Sequence, residues 1–186
     1  MITLFTAKSG KISARAGDKI IHSKYDPERE AQRFVGEKLR KRTTAVIILG
    51  SGLGYIYESV KRRAPEAKLI SVSYSPELYK EFSKTCSDTC VYFEDPSVFY
   101  RKLADFLLPS DLDGLLVLEW PVLAELFPDE SSQAHEIIQR VLKQLHSDLV
   151  TTSHFGRKWV TNCVVNYLNL DTVSNLPGEW KERPLV

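Results

Sequence analysis

At 186 residues the chain is long enough for one domain with a sizeable core, and 43% hydrophobic with 26% charged residues exclude a disordered or collagen-like polymer. Lys plus Arg (25) nearly cancel Asp plus Glu (24), so there is no overall positive field of the kind that draws proteins onto nucleic acid. The longest apolar runs, such as Ala45 to Leu49 and Leu115 to Leu118, fall far short of the roughly 20 residues that span a bilayer.

The chain opens with short strands around polar turns: "ITLFTA", "ISARA" and "IIHS", separated by Ser9-Gly10 and Gly17-Asp18. Turn dipeptides at hairpin spacing predict a small antiparallel meander. In "YDPEREAQRFVGEKLRKRT", Asp26 can cap a helix, Pro27 suits its first position, and Glu28 and Glu30 favour its positive end. Ala31, Phe34, Val35 and Leu39 recur at three-to-four spacing, so the helix is amphipathic with a basic C-terminal end. The pattern then alternates. "AVIILG" reads as a buried strand, "YIYESVKRRAPEA" as a helix, "KLISVSY" as a strand, and "SPELYKEFSKT" as a helix opened by Ser75 and Pro76. "CVYFED" is a strand, "PSVFYRKLADFLLP" a helix, "GLLVLEW" a strand and "SSQAHEIIQRVLKQLHS" a long helix. "DLVTTSHFG" is expected as a further short strand and "RKWVTNCVVNYLNL" as a last helix.

Continuous apolar strands alternating with helices imply a mostly parallel sheet with helices on both faces. The expected fold is therefore α/β, a Rossmann-like domain over residues 24–170 preceded by a β-meander over residues 1–23. The tail "DTVSNLPGEWKERPLV", residues 171–186, gathers Pro, Gly and charge and reads as a linker. The amino-terminal stretch has neither a long apolar core nor a small-residue cleavage site, so a cytoplasmic location is expected. Cys86 and Cys90 lie four apart without a second Cys/His pair nearby, too little for a zinc site, so they are expected to be buried or incidental thiols.

In such a sheet the ligand crevice lies beyond the carboxyl ends of the strands, which puts a candidate site at the turn after Leu49. Gly50, Gly52 and Gly54 would let the backbone approach a ligand, and Ser51 and Tyr55 belong to the same turn. The spacing is G-x-G-x-G rather than the G-x-G-x-x-G of dinucleotide enzymes, and no G-K-[ST] follows, which excludes a P-loop phosphotransferase. S-adenosylmethionine-dependent methyltransferases end their first strand in the same way. Their second strand usually ends in a ribose-binding carboxylate, where this chain has Ser73, flanked by Tyr74 and Ser75. Later strand ends supply Glu94 and Asp95, then Glu119 and Trp120. These either face the crevice or serve the fold, Asp95 as a helix cap and Trp120 as edge packing. Four scattered histidines give no Ser/His/Asp order and no metal-ligand spacing. His22 is the one retained, because the loop "IIHSKYDP" must pass the carboxyl end of the first buried strand and bring His22, Ser23, Tyr25 and Asp26 near Gly52.

"HSKYDPEREAQRF", "VIILGSGLGYIYESV" with "LISVSYSPELYKEF", and "HFGRKWVTNCVVNYL" occur in an order similar to the amino-terminal region of the bacterial motility accessory factor family. That family is also described as 6-hydroxymethylpterin pyrophosphokinase-like and is associated with flagellin glycosylation by nonulosonic acids. The resemblance spans nearly the whole chain. It implies a Rossmann-like domain that precedes a sialyltransferase-like central domain, and this sequence would stop in the linker before it. Ser73 stands where the family is expected to carry an acidic residue.

Three functional readings follow. One is a binding domain for a nucleotide, a nucleotide sugar or a protein partner such as a glycosyltransferase-like domain, without catalysis of its own. Another is an S-adenosylmethionine-dependent methyltransferase. The third is an interaction domain with no small ligand. No catalytic residue and no metal ligand can be assigned from the sequence.

Overall fold

The structure, a computed structural model, describes residues 1–84, 86 and 89–147. Its organising element is β4 (Ala45–Leu49), whose five residues are all fully buried. A strand with neighbours on both edges and layers on both faces must be apolar throughout, which is what "AVIIL" provides. On one side it pairs in parallel with β5 (Lys68–Ser73), which pairs with β6 (Thr89–Tyr92); on the other it pairs with β7 (Leu115–Glu119). The order is β6-β5-β4-β7.

The chain steps outward from β4 to β6 through α2 (Tyr55–Arg63) and α3 (Pro76–Phe82), then returns through α4 (Pro96–Phe106) to the far side of β4. Because parallel crossovers are right-handed, this reversal puts α4 on the face opposite α2 and α3. α1 (Pro27–Lys38) packs on α2, and residues 128–143 form a helix, α6, that borders a cleft with α4. Helices thus flank both faces of a doubly wound sheet. The switch in direction falls between β4 and β7, whose last residues, Leu49 and Glu119, are register partners. A crevice is expected there.

The helix starts follow the local chemistry of the sequence. Asp26 sits extended before α1 and accepts from the Arg29 amide at 3.0 Å; Asp95 accepts from the Ser97 amide at 2.8 Å before α4. Pro27, Pro76 and Pro96 occupy first-turn positions, where a missing N–H costs nothing. A separate antiparallel sheet, β1 (Ile2–Thr6), β2 (Ile12–Ala16) and β3 (Lys19–Ile20), forms the expected meander.

Three elements differ from the sequence reading. The third meander strand ends at Ile20 rather than Ser23, because Ile21 and His22 turn into the interior, 1% exposed each. A short helix, α5 (Pro121–Leu126), follows β7 directly, with a 3-10 turn (Pro109–Gly114) before it; neither is long enough to show helical periodicity. The next helix begins at residue 128, three residues before the expected "SSQAHE", since Pro128 supplies a first-turn proline. The chain divides into two compact units, Met1–Lys143 and Gln144–Val186, and in the second only residues 144–147, which are helical, are described. The strand expected at "DLVTTSHFG", the last helix, the tail and its boundary after Leu170 lie outside the described residues. No helix among the described residues is long and apolar enough to cross a membrane.

Since Ile47 lies at the centre of β4 with no exposure, Ile47→Ala should cost about 2–5 kcal/mol, read as a lower urea midpoint at unchanged slope.

Candidate functional site at the carboxyl edge of the sheet

Gly50, Gly52 and Gly54 all have positive φ (70°, 58° and 89°), so the turn after β4 is open only to glycine. Each is also pressed by a side chain of the same chain. A Cβ on Gly50 would lie 2.9 Å from Leu123 Cβ, one on Gly54 2.6 Å from the Phe82 ring, and one on Gly52 would collide with His22 Nε2. Three amides of the turn are engaged as well. Ser51 donates both its N–H and its hydroxyl to the Val72 carbonyl at 2.9 Å, Gly54 donates to the Ser51 carbonyl at 3.0 Å, and Leu53 donates to His22 Nε2 at 3.0 Å. The close approach that the glycines permit is thus used by Leu123, His22 and Phe82.

His22 is the central group. Its imidazole is stacked on Trp120 with centroids 5.6 Å apart and meets Tyr55 edge-on at 5.4 Å. Burial pulls its pKa from the ordinary 6.5 down to about 4, so it is neutral at physiological pH. With Nε2 accepting from Leu53, the proton sits on Nδ1, which has no partner among the described protein groups. Two hydrogen bonds fix the segment that delivers it, Ser13 Oγ to the His22 carbonyl at 2.6 Å and Trp120 Nε1 to the Ile21 carbonyl at 2.7 Å, and Tyr55 Oη holds the Ile12 carbonyl of β2 at 2.6 Å. An imidazole so held is an internal ligand of the turn rather than a free base.

Beside this plug opens a groove of about 680 Å³. Phe34, Trp120, Pro121 and Val122 form its apolar lining, and Ser23, Asp26, Arg29, Glu30 and Arg33 its polar rim. Phe34 meets the Trp120 ring edge-on at 5.0 Å. Glu30 is half-buried; burial raises its pKa, partly offset by the Ser23 amide that donates to it at 2.8 Å. Asp26 Oδ1 remains the helix cap, and Ser23 Oγ accepts from the Tyr25 and Asp26 amides at 3.1 and 3.3 Å. Trp120 is itself 5% exposed, covered by His22 and Phe34, so the accessible apolar surface is that of Phe34, Pro121 and Val122.

The remaining candidates fall elsewhere. Ser73 is 1% exposed and its hydroxyl donates to the Ser75 carbonyl at 3.2 Å. Asp95 caps α4 and also accepts from the Ser97 hydroxyl at 2.9 Å. Glu119 and Trp120, being consecutive at a strand end, point to opposite faces. While Trp120 meets His22 and Phe34, the Glu119 carboxylate accepts from the Ser131 hydroxyl and pairs with His135 Nε2 at 3.1 Å on α6. Tyr74 shares this second face, buried at 4% exposure, its pKa raised by burial and then by the charge of Glu119. Among the described residues no group of three or more His, Cys, Asp or Glu could hold a metal ion. Sequence reasoning brought His22 to Gly52, but the crevice expected at Gly50 to Tyr55 is filled, and Ser23, Tyr25 and Asp26 line the groove beside it instead. The same reasoning missed Phe34, Glu30 and Arg29, which carry only the ordinary signature of an amphipathic helix.

These features define the class of the protein: a Rossmann-like α/β domain whose glycine turn is closed by a histidine from an amino-terminal β-meander. No family model and no curated protein sequence matches the chain. Among solved structures it is similar to a Maf glycosyltransferase from Magnetospirillum magneticum AMB-1, with a TM-score of 0.50 and 11% identity over 73% of this chain. It spans 31% of that protein's length, and the likeness is one of fold. A plantazolicin methyltransferase solved in complex with SAH gives a TM-score of 0.26 and 18% identity over 38% of this chain and 27% of that one, too low to bear on function.

The state of His22 makes stability depend on pH. Unfolded, the imidazole titrates near 6.5 and folded near 4, so between these values the unfolded chain binds the extra proton. The contribution is complete above pH 6.5 and lost as pH falls toward 4, to a total of roughly 3 kcal/mol. Denaturant titrations from pH 7.5 to 4 should show this loss, and His22→Gln should flatten it. Separately, Gly52→Ala should destabilise by about 2–4 kcal/mol, from left-handed strain and overpacking. His22→Ala in the same chain should recover part of that cost, a non-additivity that a double-mutant cycle reads directly.

Proposed function

We propose that the protein is a non-catalytic ligand-binding module of a glycosyltransferase-like, motility-accessory type of protein, and that it takes a nucleotide or nucleotide sugar in the groove beside Trp120. The observation that carries this reading is the displacement of the open crevice. The glycine turn is filled by His22, Leu123 and Phe82, and the accessible volume lies one step outward, between α1 and the β7–α5 connection. Phe34, Pro121 and Val122 offer an apolar surface for a base, and Arg29 offers a cation for a phosphate, with Arg33 beside it paired to Glu37 at 3.1 Å. The likeness in fold to a Maf glycosyltransferase and the sequence resemblance to the motility accessory factors support the setting.

The methyltransferase alternative is less well supported. Ser73 is committed to a backbone carbonyl and offers no carboxylate for ribose, and the turn amide of Leu53 is taken by His22. Calorimetry with nucleoside phosphates, nucleotide sugars and S-adenosylmethionine on the full chain separates the two. A nucleotide or nucleotide sugar should bind, and Arg29→Ala should weaken it by about tenfold, as expected for one charged hydrogen bond. Tight binding of S-adenosylmethionine, unaffected by Arg29→Ala, would refute the proposal in favour of the enzyme. Absence of binding by any of these ligands would refute it in favour of a purely protein-docking domain.

A further inference from the structure

The opposite, amino-terminal edge of the sheet carries a feature that neither the groove nor the turn accounts for. Segments 36–44 and 61–67, the trailing ends of α1 and α2 with the residues after them, hold seven Lys or Arg residues against Glu37 and Glu66. Cations at helix C-termini are ordinary, since each end carries about half a negative charge. Two such ends account for about one cation, and the excess here is several. Part of it is engaged: Arg62 pairs with Glu28 at 2.7 Å, and Lys38, still charged, lies over the Phe34 ring at 5.1 Å. Among the described residues Arg40, Lys41 and Arg42, all exposed, form no ion pair.

Three of the seven cations meet at a concavity. A cleft of about 440 Å³ is lined by Arg40, Lys41 and Arg63 together with Gly36, Thr43 and Glu66. Arg63 is seated rather than loose. Its Nη2 donates to the Gln32 carbonyl at 3.4 Å, and its guanidinium lies flat enough on α1 that a Cβ on Gly36 would sit 3.2–3.4 Å from three of its atoms. Gly36 lies inside α1, where glycine weakens a helix relative to alanine. What this glycine provides is room for the guanidinium. An oriented fork with two further cations at one cleft is the arrangement that matches the oxygens of a phosphate group.

We infer that the cleft between the C-terminal ends of α1 and α2 binds a compact oxyanion of the phosphate-ester class carrying two or more negative charges, held by Arg63, Arg40 and Lys41. A nucleic acid is the less fitting occupant. Three cations line the cleft and Glu66 stands among them, which suits one compact anion rather than the run of phosphates of a polymer.

The test uses inorganic pyrophosphate as the probe, titrated calorimetrically into the full chain at ionic strength held constant with sodium chloride. Saturable binding is expected, weakened about tenfold or more by the double substitution Arg40→Gln, Lys41→Gln. Arg63→Gln, at an exposed position, should leave the melting temperature nearly unchanged while weakening pyrophosphate binding about tenfold. Lys84→Gln, exposed and outside both sites, should leave pyrophosphate binding unchanged, and a loss confined to the Arg40, Lys41 and Arg63 variants keeps this result separate from the groove's. Heats that do not saturate, or an affinity unchanged in Arg63→Gln or in the Arg40→Gln, Lys41→Gln double variant, overturn the inference. So does a short single-stranded oligonucleotide that binds more tightly than pyrophosphate with a steep salt dependence, which reassigns the cleft to nucleic acid.

Discussion

The hydrogen bond from the Leu53 amide to His22 Nε2 is the constraint around which the carboxyl edge is arranged. A glycine turn at the start of a helix leaves N–H groups that must find acceptors. In many α/β proteins a bound anion supplies them. Here a neutral imidazole does so from inside the chain, and that choice has structural consequences. The ring must be delivered by a segment that leaves its sheet, so β3 stops after two residues and Ile21 and His22 become core. It must also be covered, which Trp120 does from the end of β7 while its indole N–H holds the Ile21 carbonyl. The meander and the parallel sheet share no strand pairing but are locked together at this point.

The alternation of β7 then divides the edge in two. Glu119 faces α6 and satisfies itself against Ser131 and His135, whereas Trp120, one residue later, faces α1 and closes over His22. The first face is packed and polar; the second opens into the groove. A pair of residues that reads in sequence as one candidate is in fact two unrelated environments, separated by the thickness of the sheet. The two edges of the sheet differ as well. The carboxyl edge presents mixed charges around aromatic rings, and the amino edge concentrates cations at the ends of α1 and α2. A near-zero net charge conceals this polarity, because the sum over a chain carries no information on where its charges lie.

A good part of the architecture was legible in the sequence, for local reasons. "AVIIL" cannot be anything but a doubly covered strand in this context, and Asp26-Pro27, Ser75-Pro76 and Asp95-Pro96 each carry a cap and a pre-set first turn within two residues. The passage of His22 close to Gly52 was legible too, from topology alone, since the chain must cross that strand end to reach α1. Short elements such as α5 were not, because six residues hold too few turns to show a period.

What the sequence determined by itself, then, is the order and type of the longer elements, their caps, and a turn that only glycine can make. What the tertiary structure decided is the use of that turn. A G-x-G-x-G spacing specifies backbone conformation and room for close approach, but not the identity of the approaching group. That depends on residues 28 to 73 positions away in the chain: Leu123, Phe82 and His22. Which of them reaches which glycine is settled only when helices and meander pack on the sheet, because packing is a property of surfaces brought together and has no local signature in the chain.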